Sequence, residues 1–264
     1  MRIASMSQAA FAAAMIAVGL HGLVSGDIAG IWGPVPAGLP GRAALPWVCG
    51  AVTLACGLGL PWRATTAVAA RVLLAWLLLW LLTMRLFAAL KAPAVEGYWS
   101  GCGETAVVAA AAWIVWTSVA TARDRQALRW ATGDSGRRLA RALHGLALIP
   151  FGVAHFVYAK QTAALVPGWL PAPAAWAAFT GGAYIVAGVA LLVDRCARWA
   201  AVLAALQIAL LTVLVWLPID ASGHADASAW SETVISCALT AAAWVIAASW
   251  RDPASRDGHA ATRA

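Results

Sequence analysis

Eight apolar runs, most of them near the length a helix needs to cross a bilayer, limit what this chain can become more than any other feature. They lie at 9–25, 46–61, 66–90, 104–121, 139–159, 173–193, 197–217 and 228–250. A hydrocarbon core roughly 30 Å thick takes about 20 helical residues to span. The second run is the shortest and is expected to sit partly in the interface. All are rich in Ala, Leu and Val, without the residue-by-residue alternation of outer-membrane strands, so they predict helices. Composition closes the alternative of a water-soluble domain. Only 11% of the residues are charged and 62% are hydrophobic, against about 25% charged in soluble proteins.

The basic residues set an orientation. With eight spans and the N-terminus inside, fourteen of the eighteen Lys and Arg fall on one side, and only Arg42, Arg85, Lys91 and Lys160 on the other. Positive residues stay cytoplasmic, so both termini are expected inside a bacterial cytoplasmic membrane. The net charge of +7 is then topology. The stretch "TARDRQALRWATGDSGRRLAR" reads as a positive-inside loop rather than a lipid-headgroup site, and nucleic acid is not expected as a partner. Five cysteines, at 49, 56, 102, 196 and 237, include no C-x-x-C, which argues against a thiol–disulfide oxidoreductase. Cys49 and Cys102 are placed to form a bridge, though buried inert thiols suit the pattern better.

The chain repeats itself. Val35-Pro36-x-x-Leu39-Pro40 matches Val166-Pro167-x-x-Leu170-Pro171, a shift of 131 that also carries Gly50 onto Gly181 and Gly57 onto Gly188. Gly103-Glu104-Thr105 answers Ser231-Glu232-Thr233 at a shift of 128, which lays Trp116 over Trp244. His21 pairs with His155 if the first copy has a three-residue insertion before its prolines. Features in one order at a nearly constant shift indicate duplication. The expected fold class is therefore an all-α membrane protein of two pseudo-symmetric four-helix bundles. Its parts are a first repeat at 1–121, a basic linker at 122–138, a second repeat at 139–250 and a cytoplasmic tail at 251–264. Arg2 and the apolar stretch after it resemble a secretion signal, but its counterpart in the second half argues for retention. Trp32 and Trp169, beside the proline loops, suit the headgroup region, and each loop is expected to fold back against the membrane.

"GVAHFVYAKQTAALVPGWLPAPAAWAAFTGGAYIVAGVALLVDRCARWAAVLAAL" resembles the DoxX-like family of small bacterial membrane proteins. The matching features are G-x-x-H-F, V-P-x-W-L-P, T-G followed by A-G-x-x-L-L, and a basic turn. The resemblance covers about 110 residues of the second copy; the first lacks the Phe after His21 and the Trp in its proline loop. The resemblance implies one four-helix unit per copy. It also implies, for some relatives, a subunit role in quinone-linked oxidoreductases or membrane redox defence complexes. Quinone is then the expected cofactor, bound without covalent attachment, and a soluble or membrane redox protein the expected partner besides lipid. The family brings no catalytic motif.

Ionisable residues at membrane depth are functional candidates by default. His21 and His155 lie about one turn below the outer ends of their helices, and Glu104 and Glu232 at the outer starts of theirs, so each bundle is expected to bring a histidine to a glutamate. Such a pair suits proton transfer with quinol. Arg85 joins the first cluster, and Tyr158 and Lys160 flank the second. A structural role competes at each place. First-turn glutamates suit the helix dipole, a histidine can bond a loop carbonyl, and Arg85 and Lys160 can snorkel. His144 and His155 stand eleven residues apart, roughly 16 Å along a helix, and no metal is expected. Gln207 reads as an interhelical hydrogen-bond partner. The glycines at 50, 57, 181, 182 and 188 read as close-packing faces. No flavin, nicotinamide, haem or iron–sulfur fingerprint is present. The leading reading is an accessory or anchor subunit of a quinone-linked redox system, with a membrane scaffold and a small-solute carrier as alternatives.

Overall fold

A computed structural model describes residues 5–26, 28, 31–36, 38–222 and 227–250. Among the described residues the chain is helical throughout, without strands. Eight helices are long and apolar enough to cross a membrane: α1 Met6–Ser25, α2 Arg42–Gly59, α3 Thr66–Lys91, α4 Glu96–Val119, α5 Gly133–Val157, α6 Pro173–Leu192, α7 Ala197–Ala221 and α8 Ala229–Ala248. The expected tail at 251–264 lies outside the described residues.

Local chemistry places the helix ends. The Ser5 hydroxyl accepts from the Gln8 N–H to open α1, and Gly26 at φ 65° closes it. Only a residue without Cβ takes that left-handed conformation cheaply. Pro46 and Pro173 occupy the first turns of the α-helical part of α2, Leu45–Gly59, and of α6, where a missing N–H costs nothing. Two helices begin six or more residues before their apolar runs. α4 starts at Glu96 and not at 104, and α5 at Gly133 and not at 139. Both extensions are too polar to stand out by hydropathy, yet helix continues through them.

The packing order follows side-chain size. α4 is the most buried of the eight, with 78% of its most apolar 18 residues inside, because its stretch from Thr105 to Thr117 is apolar on every face. It packs on α3, α5 and α8, while α8 packs on α7, α1 and α4. α1 crosses α2 and α5 crosses α6 through glycine. A Cβ on Gly19 would come within 2.8 Å of the Gly50 carbonyl, and one on Gly188 within 2.6 Å of the Gly145 carbonyl. The small-residue faces thus act at Gly50, Gly57, Gly181 and Gly188, but Gly182 has open space around it.

The segment after α4 is not a free linker. Trp113 donates to the Ala131 carbonyl at 2.8 Å and its ring meets Trp130 edge-on. The short helix Ala122–Ala127 opens with a capping box between Thr121 and Asp124, and Asp124 pairs with Arg71 at 2.7 Å. Burial opposes the Asp124 charge. The Thr121 N–H and hydroxyl and the Arg71 guanidinium outweigh that, holding its carboxyl below the usual carboxylate range.

Candidate functional site

The proline-loop end of the bundle carries the ionisable residues. α3 changes its winding there, with a π turn at Leu81–Arg85 between two α-helical stretches. One extra residue in a turn rotates the next stretch of helix by about 100°, and Arg85 ends that turn. Its guanidinium lies against Gly101 of α4, in the space that a side chain there would take. Nε donates to the Thr105 hydroxyl at 3.3 Å and Nη2 reaches Glu104 Oε2 at 3.4 Å. Arg85 is 3% exposed. The expected snorkelling does not occur, because a carboxylate and a hydroxyl on α4 supply inside the bundle what the headgroups would have supplied outside.

Glu104 is not a first-turn residue. With α4 starting at Glu96, it stands more than two turns inside, beyond the helix-dipole ends, and Glu96 holds the first turn. Glu232 of α8 and Glu96 act electrostatically on Glu104 together with Arg85. Arg85 itself is paired with Glu104, and Glu232 stands at an exposed position of α8.

The first proline loop seals this cluster. Ile31 and Trp32 are buried, at 0% and 2% exposure, and the Thr105 hydroxyl donates to the Ile31 carbonyl at 2.7 Å. Trp32 is thus a core residue and not a headgroup anchor. Its carbonyl takes the Trp80 Nε1–H at 2.7 Å, and its ring packs against Trp76 and Trp80. Trp169, at 71% exposed, keeps the surface position expected of it.

The histidines stand apart from the glutamates. Among the described residues, neither His21 nor His155 forms an ion pair with Glu104 or Glu232. His155 Nδ1 lies 2.7 Å from the Phe151 carbonyl. A carbonyl only accepts, so Nδ1 carries the proton and a neutral ring keeps its lone pair on Nε2. The ring packs edge-on against Tyr184 at 5.5 Å. Tyr184 is buried, and the Gln207 amide donates to the Thr180 carbonyl at 2.9 Å. Gln207 does bridge helices, and Tyr184 is the member of this group that sequence reasoning missed. Phe151 stands between the two clusters, against Tyr184 on one side and Gly103 on the other. The backbone carbonyl of His21 accepts the Ser25 hydroxyl. Tyr158 reaches toward Gly97 at the start of α4, while Lys160 is exposed on the short helix Ala159–Ala164. His144 is wholly buried, and among the described residues neither ring nitrogen has a partner. All five cysteines are free, so Cys49 and Cys102 form no bridge.

A family model described as a domain of unknown function, DUF8561, matches residues 144–251. That stretch runs from within α5 through α8, four of the eight spans. The Arg85–Glu104 pair lies outside it. No curated protein and no solved structure matches the chain.

Proposed function

We propose that the chain is a multi-pass protein of the bacterial cytoplasmic membrane, with both termini inside, that serves as an accessory subunit of a quinone-linked redox system. The observation that carries this reading is the Arg85–Glu104 pair with Glu232 in electrostatic reach, all at one end of the bundle. Charged groups at membrane depth are costly and persist where they work. The Arg85 guanidinium balances the Glu104 carboxylate, and Glu232, at an exposed position of α8, offers a carboxyl that can exchange a proton.

A tandem four-helix architecture supports the reading. The π turns at 81–85 and 212–216 stand 131 residues apart, as do the crossing glycines 50 and 181, and 57 and 188. Each neighbour pair in the first four helices has its counterpart in the second, and α4 on α5 answers α8 on α1. Such a pattern suits a pseudo-twofold axis along the membrane normal through α4 and α8. The crossing glycines Gly19 and Gly152 are related by 133, not by the 134 that pairs the histidines. Gly22 then stands at the place of His155, Phe11 at that of His144, and Trp216 at that of Arg85. The copies have diverged into an ionic half and an imidazole half.

Residue chemistry fits a quinone headgroup on the His155 side. Its carbonyls accept hydrogen bonds, and as quinol it supplies two protons and two electrons. His155, half-buried beside the exposed ring of Phe156, presents Nε2 as a proton acceptor, and Glu232, at an exposed position of α8, offers a second exchangeable carboxyl near the same bundle end. The test is extraction into native nanodiscs and mass spectrometry of what stays bound. Retained quinone or a redox protein at stoichiometric ratio, lost in His155→Ala, is the expected result. Bulk lipid alone, with no partner, sinks the reading.

A further inference from the structure

The opposite, basic end of the bundle carries a feature that the ionic cluster does not use. A groove of about 400 Å³ runs between α7 and α8, from Arg198 at its mouth past Ala205 and Ala209, walled by Trp244 and Trp250. The volume falls in the range of ligand sites, roughly 300–1,000 Å³. Alanines on both helices leave the space, and the tryptophans bound it. From Arg198 to Ala209 is eleven residues, about 16 Å of helix. That is close to half of the roughly 30 Å hydrocarbon core, the depth of a single leaflet.

We propose that this groove binds one anionic phospholipid, an acyl chain lying along Ala205 and Ala209 and the phosphate at Arg198. Charge chooses the lipid. Among the described residues, no acidic one lines the groove. Arg195 adjoins its mouth in sequence, and Arg141 stacks 3.8 Å over the ring of Trp250 while donating to Ser249. Among the described residues, Asp194 and Asp134 act on Arg141, and Asp134 also bonds Arg137. Basic pockets between membrane helices hold acidic headgroups in this way. A neutral lipid would fill the same groove without using the arginine.

The protein is reconstituted with phosphatidylglycerol and phosphatidylethanolamine in equal amounts, and lipid retention is read by native mass spectrometry. Wild type should keep one phosphatidylglycerol through delipidation. Arg198→Gln should lower its preference over phosphatidylethanolamine about fivefold, the weight of one arginine at an acidic surface. Ala205→Phe should abolish retention with every charge in place, and Arg63→Gln, exposed and outside the groove, should change nothing. If Ala205→Phe fails to fold, Ala209→Phe makes the same test about one turn deeper. Equal retention of both lipids, unchanged binding in the filled groove, or a dimer mass that the filled groove splits into monomers overturns the proposal. The last result would assign the groove to a second copy of the chain.

Discussion

Glu104→Gln and Arg85→Met test whether the buried pair is a coupled unit. The Arg85 side chain is 4% exposed and that of Glu104 25%, with 3.4 Å between charged atoms. Removing one partner of a buried pair costs about 3–5 kcal/mol, because the other charge is left without compensation. Glu104→Gln leaves a guanidinium that cannot shed its proton, but the Thr105 hydroxyl still accepts from its Nε, so the expected loss is at the low end, about 3 kcal/mol. Arg85→Met leaves carboxyls that can take up protons, and the expected loss is about 2 kcal/mol, in the range for an unsatisfied buried group. The double variant removes both charges and should lose no more than about 2 kcal/mol, a coupling of about 3 kcal/mol. Thermal unfolding in detergent, followed by helical circular dichroism, reads these losses at about 2–4 °C per kcal/mol for a chain approaching this size. Losses that add to within about 0.5 kcal/mol in the double variant would falsify the coupled pair.

Other consequences are open to simple assays. Gly152→Ala places a Cβ 2.5 Å from the Gly181 carbonyl and from Ile185, so overpacking of about 1–3 kcal/mol should outweigh the gain in helix propensity. Gly182→Ala meets nothing within 4 Å and should gain up to about 1 kcal/mol; melting shifts of the same sign in both would contradict the crossing geometry. Asp124 has its folded-state carboxyl held low, so its contribution is present above the unfolded pKa, about 3.9, and is lost as pH falls through the folded value. Proteolysis of the 120–132 segment should therefore rise in acid, below about pH 4, and Asp124→Asn should open it at neutral pH and flatten that dependence. A segment equally resistant in the variant would show that the Arg71 pair does not hold it.

How much of the site was legible varies residue by residue. Arg85 stood in the sequence as a lone charge near the end of an apolar run, which equally suited snorkelling. What separates the outcomes is the π turn that aims it and the glycine at 101 that admits it, and both act across helices. Glu104 looked like a helix start because hydropathy sees only the apolar part of α4. The preceding polar turns are helical through backbone hydrogen bonds that no apolar pattern records. Histidine and glutamate were expected together because both lie near one bundle end, but a shared depth says nothing of azimuth. Phe151 and Tyr184 occupy the space between.

The sequence by itself determined the eight apolar helices, the close-packing glycines at 50, 57, 181 and 188, and the prolines at helix starts. These follow from local quantities: hydropathy over about 20 residues, the missing Cβ, the missing N–H. Tertiary structure alone decided that Arg85 points inward to Glu104, that Trp32 is core, and that His155 faces Tyr184 instead of a carboxylate. Each of those depends on which helix stands beside which, and at what rotation. Rotation about a helix axis is not written in composition where nearly every face is apolar, so contacts between distant segments set it.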